Sequence, residues 1–189
     1  MCPLASQRRS PSRKRLVIVD YDSAWPGLYE RERGVILEAV GDRLVAIEHV
    51  GSTSVPGLGA KPIIDLMGGL PGLAEAEACI ALLERVGYTF VPRAMRQLPD
   101  DRYFERWTDG FERGTEIAHL HLTEYGNTFW REHLLLRDFL RRNPQRARQY
   151  ELLKRELAPR FTRGGRYSAG KTDFIRSALA EAVRTMAHG

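Results

Sequence analysis

Residues 47–67 read "IEHVGSTSVPGLGAKPIIDLM". Two apolar, β-branched runs flank a loop, and the second run, opened by Pro62 where a strand tolerates proline, contains a lone acid, Asp65. Gly51 lets a phosphate approach the backbone with no Cβ in the way. Ser52, Thr53 and Ser54 add hydroxyls and successive amides able to form an anion-binding concavity. Twelve residues separate Ser52 from Asp65, whose oxygens suit a hard cation such as Mg²⁺ bridging carboxylate to phosphate. The other reading of the same pattern is a Gly/Pro turn between strands, with an acid that hydrogen-bonds nearby backbone.

Working outward, residues 16–21 read as a short strand and 22–40 as a helix, capped by Asp22 or Ser23, with Pro26 in its first turn and Gly41 at its end. Residues 43–50 and 62–70 are the strands around the loop. A helix over 73–86 stops at Gly87, and 88–91 is a short strand. Residues 102–107 and 116–124 form a hairpin pair around the glycine-containing turn 108–114. In "EIAHLHLTE", Ala118, Leu120 and Leu122 point one way and His119 and His121 the other, because strand side chains alternate. Asn127 is placed to cap a helix over 128–142. Asn143-Pro144 breaks it before a second helix, and a Gly-rich link over 163–170 precedes a last helix over 171–187. Strands gathered early and helices late predict an α+β fold, a mixed sheet packed with helices and followed by C-terminal helices. No GxGxxG or P-loop motif occurs.

A chain of 189 residues, 43% hydrophobic, is expected to form a single domain over 16–189. Residues 1–15, with five basic residues and no acid, read as a disordered basic tail that accounts for the whole net charge of +5. The body is neutral but polarised: residues 16–140 carry 12 basic and 20 acidic residues, residues 141–171 carry 10 and 2. That basic segment is either a pair of solvated arginine-rich helices or a basic wall facing the acid, where a polyanion is held. Nucleic acid is not an expected partner. No apolar run is long enough to cross a bilayer, and the two cysteines, Cys2 and Cys79, fit neither a disulfide framework nor a zinc site, so the expected location is cytoplasmic.

Several blocks, "YDSAWPGLYERER", "IEHVGSTSVPGLGAKPIIDLM", "HLHLTEYG", "WREHLLLRDFLRRNPQRARQYELLKREL" and "YSAGKTDFI", together resemble the GrpB family of bacterial proteins over residues 16 to about 180. That family is similar to nucleotidyltransferases of the DNA polymerase β type. The resemblance implies Gly-Ser at a strand end, then Asp-x-Asp on the next strand, holding two divalent metals (Mg²⁺ or Mn²⁺) that stabilise charge on an α-phosphate as pyrophosphate leaves. It makes Asp65 the catalytic metal ligand and sets Ser52 on a β- or γ-phosphate. It also implies a nucleotide or phosphorylated small molecule as ligand. Met67 stands where the second acid belongs and cannot ligate Mg²⁺. Because similar GrpB domains occur fused to dephospho-coenzyme A kinase, a protein partner and an accessory role form the alternative.

His119 and His121 are candidates to complete the site with Asp65, and imidazole suits a transition metal better than Mg²⁺. The competing reading is the polar face of a strand. Lys61 either neutralises phosphate or is a solvent-exposed turn lysine. Arg102 and Arg106 share a face with Phe104, an arrangement able to hold a base or phosphate, while Tyr103 and Trp107 are assigned to the core. Lys171 heads the last helix, where a cation opposes the helix dipole and suggests an anion alongside; free solvent is the other explanation.

Overall fold

A computed structural model describes residues 16–96, 99–110, 114–161 and 164–187. An inner strand of its sheet is β2 (Ile64–Leu70), buried along its whole length except at Asp65. The loop before it folds back so that β1 (Ala46–Val50) pairs antiparallel with β2, and β5 (Glu116–Glu124) lies parallel on the other side. Then come β4 (Asp101–Trp107) and β3 (Tyr88–Phe90), both antiparallel, giving the order β1-β2-β5-β4-β3. The sheet is therefore mixed, with helices packed on it and C-terminal helices following.

Alternation along the strands divides the side chains between two faces. Ile64, Leu66, Leu70, Phe104, Ala118, Leu120 and Leu122 share one core with α1 (Trp25–Val40) and α2 (Ala76–Arg85). The apolar stripe of α1 runs through Trp25, Ile36 and Val40. Cys79, on the inner face of α2, is a free buried thiol. The opposite sheet face receives α3 (Thr128–Arg142), whose Trp130 packs on Val50 and Met67. Asn127 caps α3 as its position predicts, its side chain accepting the Trp130 amide at 2.8 Å. Pro144 at the first turn of α4 (Pro144–Leu157) fixes the break between the two helices. A second core joins Val55 and Leu58 of the loop to Phe139, Leu140, Tyr150, Ala178 and Ala182. These residues come from α3, α4 and α6 (Thr172–Ala187), so the loop after β1 is wedged between sheet and helices.

The structure differs from the sequence reading in places. Residues 16–21 form no strand; Val19 alone bridges to Ala60, exchanging hydrogen bonds of 2.9 and 3.0 Å with the loop instead of extending the sheet. β1 begins at Ala46, because Gly41–Arg43 coil into a 3₁₀ turn. The Gly-rich link contains a short helix, α5 (Gly164–Ala169). Tyr103 lies on the histidine face of β4, its ring 5.2 and 5.0 Å from those of His119 and His121. Residues 1–15, and 111–113 of the expected turn, lie outside the described residues. Among the described residues no helix is long and apolar enough to cross a membrane.

Candidate functional site

Gly51 closes β1 at φ 70°, and a Cβ there would stand 2.2 Å from Asp65 Oδ2. The glycine is demanded by the protein's own carboxylate: the loop lies directly on Asp65. Ser52–Ser54 then form one 3₁₀ turn. The Thr53 hydroxyl donates to the Ile63 carbonyl at 3.4 Å and accepts from His49 Nε2 at 3.0 Å, and Ser54 Oγ donates to the Gly51 carbonyl at 2.7 Å. Both hydroxyls are thus spent on holding the loop. Ser52 lines the cleft, its hydroxyl meeting that of Tyr150. His49, stacked on Tyr29 at 4.6 Å, is pushed down to about 4 by burial, with Arg141 and Arg137 adding to the effect; the neutral ring then serves as donor to Thr53.

Asp65 pairs in register with His119 across β2 and β5. His119 Nδ1 donates to Asp65 Oδ1 at 2.9 Å, and its Nε2 to Glu116 Oε1 at 2.9 Å. Two carboxylates on two ring nitrogens require both to carry protons. Burial opposes the charge on His119, but the hydrogen bonds to Asp65 and Glu116 outweigh it and raise the imidazole to about 9. Burial likewise acts against ionised Asp65, yet His119, Lys61 and His121 hold its carboxyl well below the usual range. Two residues along β5, His121 Nδ1 donates to Asp101 Oδ2 at 2.6 Å; Asp101 is 1% exposed, and its other oxygen has no hydrogen-bond partner among the described residues.

Three lysines form the other wall. Lys61, Lys154 and Lys171 line a cavity of about 50 Å³ together with Ser52, Thr53, Asp65 and Tyr167. The Tyr167 ring lies 4.7 Å from Lys171 Nζ and 5.9 Å from Lys61 Nζ. Lys154, 2% exposed, donates to the Gly59 carbonyl, while the Gly59 amide donates to Glu151 Oε2 at 3.3 Å, so α4 grips Gly59 through both its N–H and its C=O. Burial, reinforced by the charge of Lys171, pushes Lys154 down to about 7; burial also lowers Lys171, against the pull of Asp65. Three arginines of the basic segment are engaged elsewhere: Arg141 with the Ser54 carbonyl, Arg146 with Glu181, Arg155 with Glu151 and Asp20.

Of the residues singled out from sequence, Gly51, Ser52, Thr53, Lys61, Asp65 and Lys171 meet around this cleft. Ser54 lies behind the loop. His119 backs Asp65, and His121 is turned to Asp101. Arg102 is not brought to the cleft: it shares the α2 side of β4 with buried Phe104 and pairs with Glu77 at 2.9 Å, and Arg106 pairs there with Glu32. Sequence reasoning missed Lys154, Tyr167 and Glu116, and assigned Tyr150 to packing alone. Lys154 left one signal: it stands in the apolar stripe Ala147, Tyr150, Lys154, Ala158 at a spacing of three to four.

The donor set does not fit a two-metal centre. Met67 is buried against Val50 and Trp130, both nitrogens of His119 are taken by carboxylates, and the same cavity that Asp65 lines also holds three lysines. Among the described residues no three His, Cys, Asp or Glu side chains gather as metal ligands. The arrangement can instead present positive charge, a hydroxyl and loop backbone to an anion.

Comparison with known proteins places this geometry. The chain is 31% identical to the glutamate-rich protein GrpB of Alkalihalophilus pseudofirmus, over 88% of this chain and 95% of that protein. It is 31% identical to YqkA of Bacillus subtilis over 91% of this chain, spanning about half (48%) of that protein's length. A stretch covering 42% of the chain is 32% identical to 20% of a dephospho-CoA kinase of Mycolicibacterium paratuberculosis. The crystal structure of GrpB from Enterococcus faecalis superposes with a TM-score of 0.77 at 29% identity, covering 90% of this chain and 99% of that one. The Cid1 poly(U) polymerase with MgGTP bound matches at a TM-score of 0.50 and 14% identity, over 72% of this chain and 43% of that one, which shows a shared nucleotidyltransferase fold. The family model described as GrpB protein matches residues 15–181, and the chain belongs to the GrpB family.

Proposed function

We propose that this GrpB protein binds a nucleotide or another phosphorylated small molecule in the cleft between the Gly51–Ser54 turn and the lysines of the C-terminal helices. The observation that carries the reading is the convergence of Lys61, Lys154 and Lys171 on one cavity beside Ser52. Lysines are expensive to bury singly and more so together, and an anion among them offsets that cost. The position of the cleft, at the strand end where a nucleotidyltransferase fold carries its Gly-Ser turn, supports the same ligand class. Binding is the activity proposed. Nucleotidyl transfer with Asp65 as catalytic metal ligand would need a second carboxylate, and Met67 does not supply one. The test is calorimetric titration of ATP, GTP, CTP, UTP and coenzyme A precursors, with and without Mg²⁺ or Mn²⁺. One-to-one binding by at least one of them, weakened tenfold or more in Lys171→Met, is expected; silence from all of them sinks the reading.

Two observations favour a second reading, an accessory module that kept the fold without transfer activity: Met67, and the partial similarity to a dephospho-CoA kinase. A kinase of that class, assayed with and without this chain, would gain rate or thermal stability. No change in either quantity removes the idea.

A further inference from the structure

We infer that the cleft holds its phosphate directly on the ammonium groups of Lys61, Lys154 and Lys171, with no divalent cation between protein and phosphate. The inference rests on the binding reading above and adds how the charge is met. A metal-bridged phosphate needs several protein oxygens or nitrogens turned to the cation. Here Asp65 Oδ1 is occupied by His119, the second nitrogen of His119 is occupied by Glu116, and Met67 is apolar. A directly held phosphate needs fixed cations and a donor hydroxyl, and these are present in one cavity. Lys154 is anchored by the Gly59 carbonyl, and Lys61 and Lys171 are steered by the same Tyr167 ring. Neither Lys61 nor Lys171 makes an ion pair among the described residues within salt-bridge distance, so their charge is available to a ligand. Three ammonium groups face one carboxylate, and burial already disfavours the charged forms of Lys154 and Lys171. A phosphate placed among them reverses that penalty.

Asp65 then acts as a repulsive neighbour of the phosphate, which gives its removal a sign opposite to that of a metal ligand. The experiment titrates inorganic tripolyphosphate and ATP into the full chain in EDTA, then in Mg²⁺, using wild type, Asp65→Asn, Lys61→Met and Lys154→Met. Circular dichroism checks that each variant is folded; Lys61→Met, at a less buried position, keeps the test intact if Lys154→Met does not fold. The expected result is binding in EDTA that Mg²⁺ does not strengthen, a loss of tenfold or more in a folded lysine variant, and affinity equal to or above wild type in Asp65→Asn. Binding that appears only with Mg²⁺ and vanishes in Asp65→Asn overturns the inference and leaves the nucleotide reading standing. Absence of binding with and without metal overturns both.

Discussion

At the scale of single residues, Gly51 and Asp65 are one device. The backbone at φ 70° and the 2.2 Å gap to Asp65 Oδ2 both exclude a side chain, so Gly51→Ala should cost roughly 2–4 kcal/mol, read from denaturant unfolding. The Asp65–His119 pair carries a pH signature. The pKa of His119 is raised in the folded state, so its contribution is complete below pH 6.5 and is lost as pH climbs through about 9. That of Asp65 is depressed, so its contribution is present above the ordinary carboxylate range and is lost progressively as pH falls from there through the lower folded value. Lys154, lowered to about 7, acts in the opposite sense to His119, adding stability as pH rises toward the ordinary lysine value. It cancels when wild type is compared with His119→Gln. At about 1.4 kcal/mol per pKa unit, that difference should shrink by on the order of 3 kcal/mol between pH 6 and 10; a constant difference would mean that His119 is not held as an imidazolium. Gly51, Ser52 and Asp65 were legible in the sequence because their residue types are unusual for their setting. Lys154 left only its place in the apolar stripe of α4, since in "ELLKREL" its immediate neighbours are those of an ordinary charged helix residue. Its burial is decided by the Gly59 peptide, 95 residues earlier in the chain.

At the scale of elements, the strong periodicities were legible. The two-residue alternation of β5 put its histidines and leucines on the faces they occupy, and the bounds of β5 and α3 agree with the sequence reading. Residues 16–21 look just as strand-like, but β1 already forms the sheet edge beside β2, and among the described residues the segment's β-bridge is to Ala60. Pairing across the chain was beyond local pattern: nothing in 116–124 alone says that its partner is β2 or that the pairing is parallel. Asn127 shows what one cap does, accepting from the Trp130 amide and donating to Thr123 Oγ1 at 2.8 Å, thereby joining β5 to α3. Asn127→Ala should lower stability by about 1 kcal/mol, measured as a fall in the denaturation midpoint at unchanged slope.

At the scale of the molecule, the cleft exists because the loop between β1 and β2 is held between two cores. Its Val55 and Leu58 belong to the helical core, while the carboxylate beneath Gly51 belongs to the sheet. Helical packing and the shape of the cleft are therefore coupled. Phe139→Ala, a truncation within the helical core, should cost about 3–5 kcal/mol and should also weaken tripolyphosphate binding at temperatures where the variant remains folded. Unchanged affinity in that variant would show that the loop keeps its shape without the helices. The charge polarity of the chain had suggested such a wall, but its form was hidden: Arg141, Arg146 and Arg155 bind carbonyls and acids, and the lysines line the cavity. The Val19–Ala60 bridge draws the segment at 16–20 into this arrangement, since Arg155 also holds the Ile18 carbonyl and Asp20. The two amide protons of that bridge are thus reporters: peeling the strap away would expose both to deuterium and release Gly59 and Lys61 together. Their common exchange rate would measure how often the cleft loses its floor, and a ligand seated there should slow both amides equally.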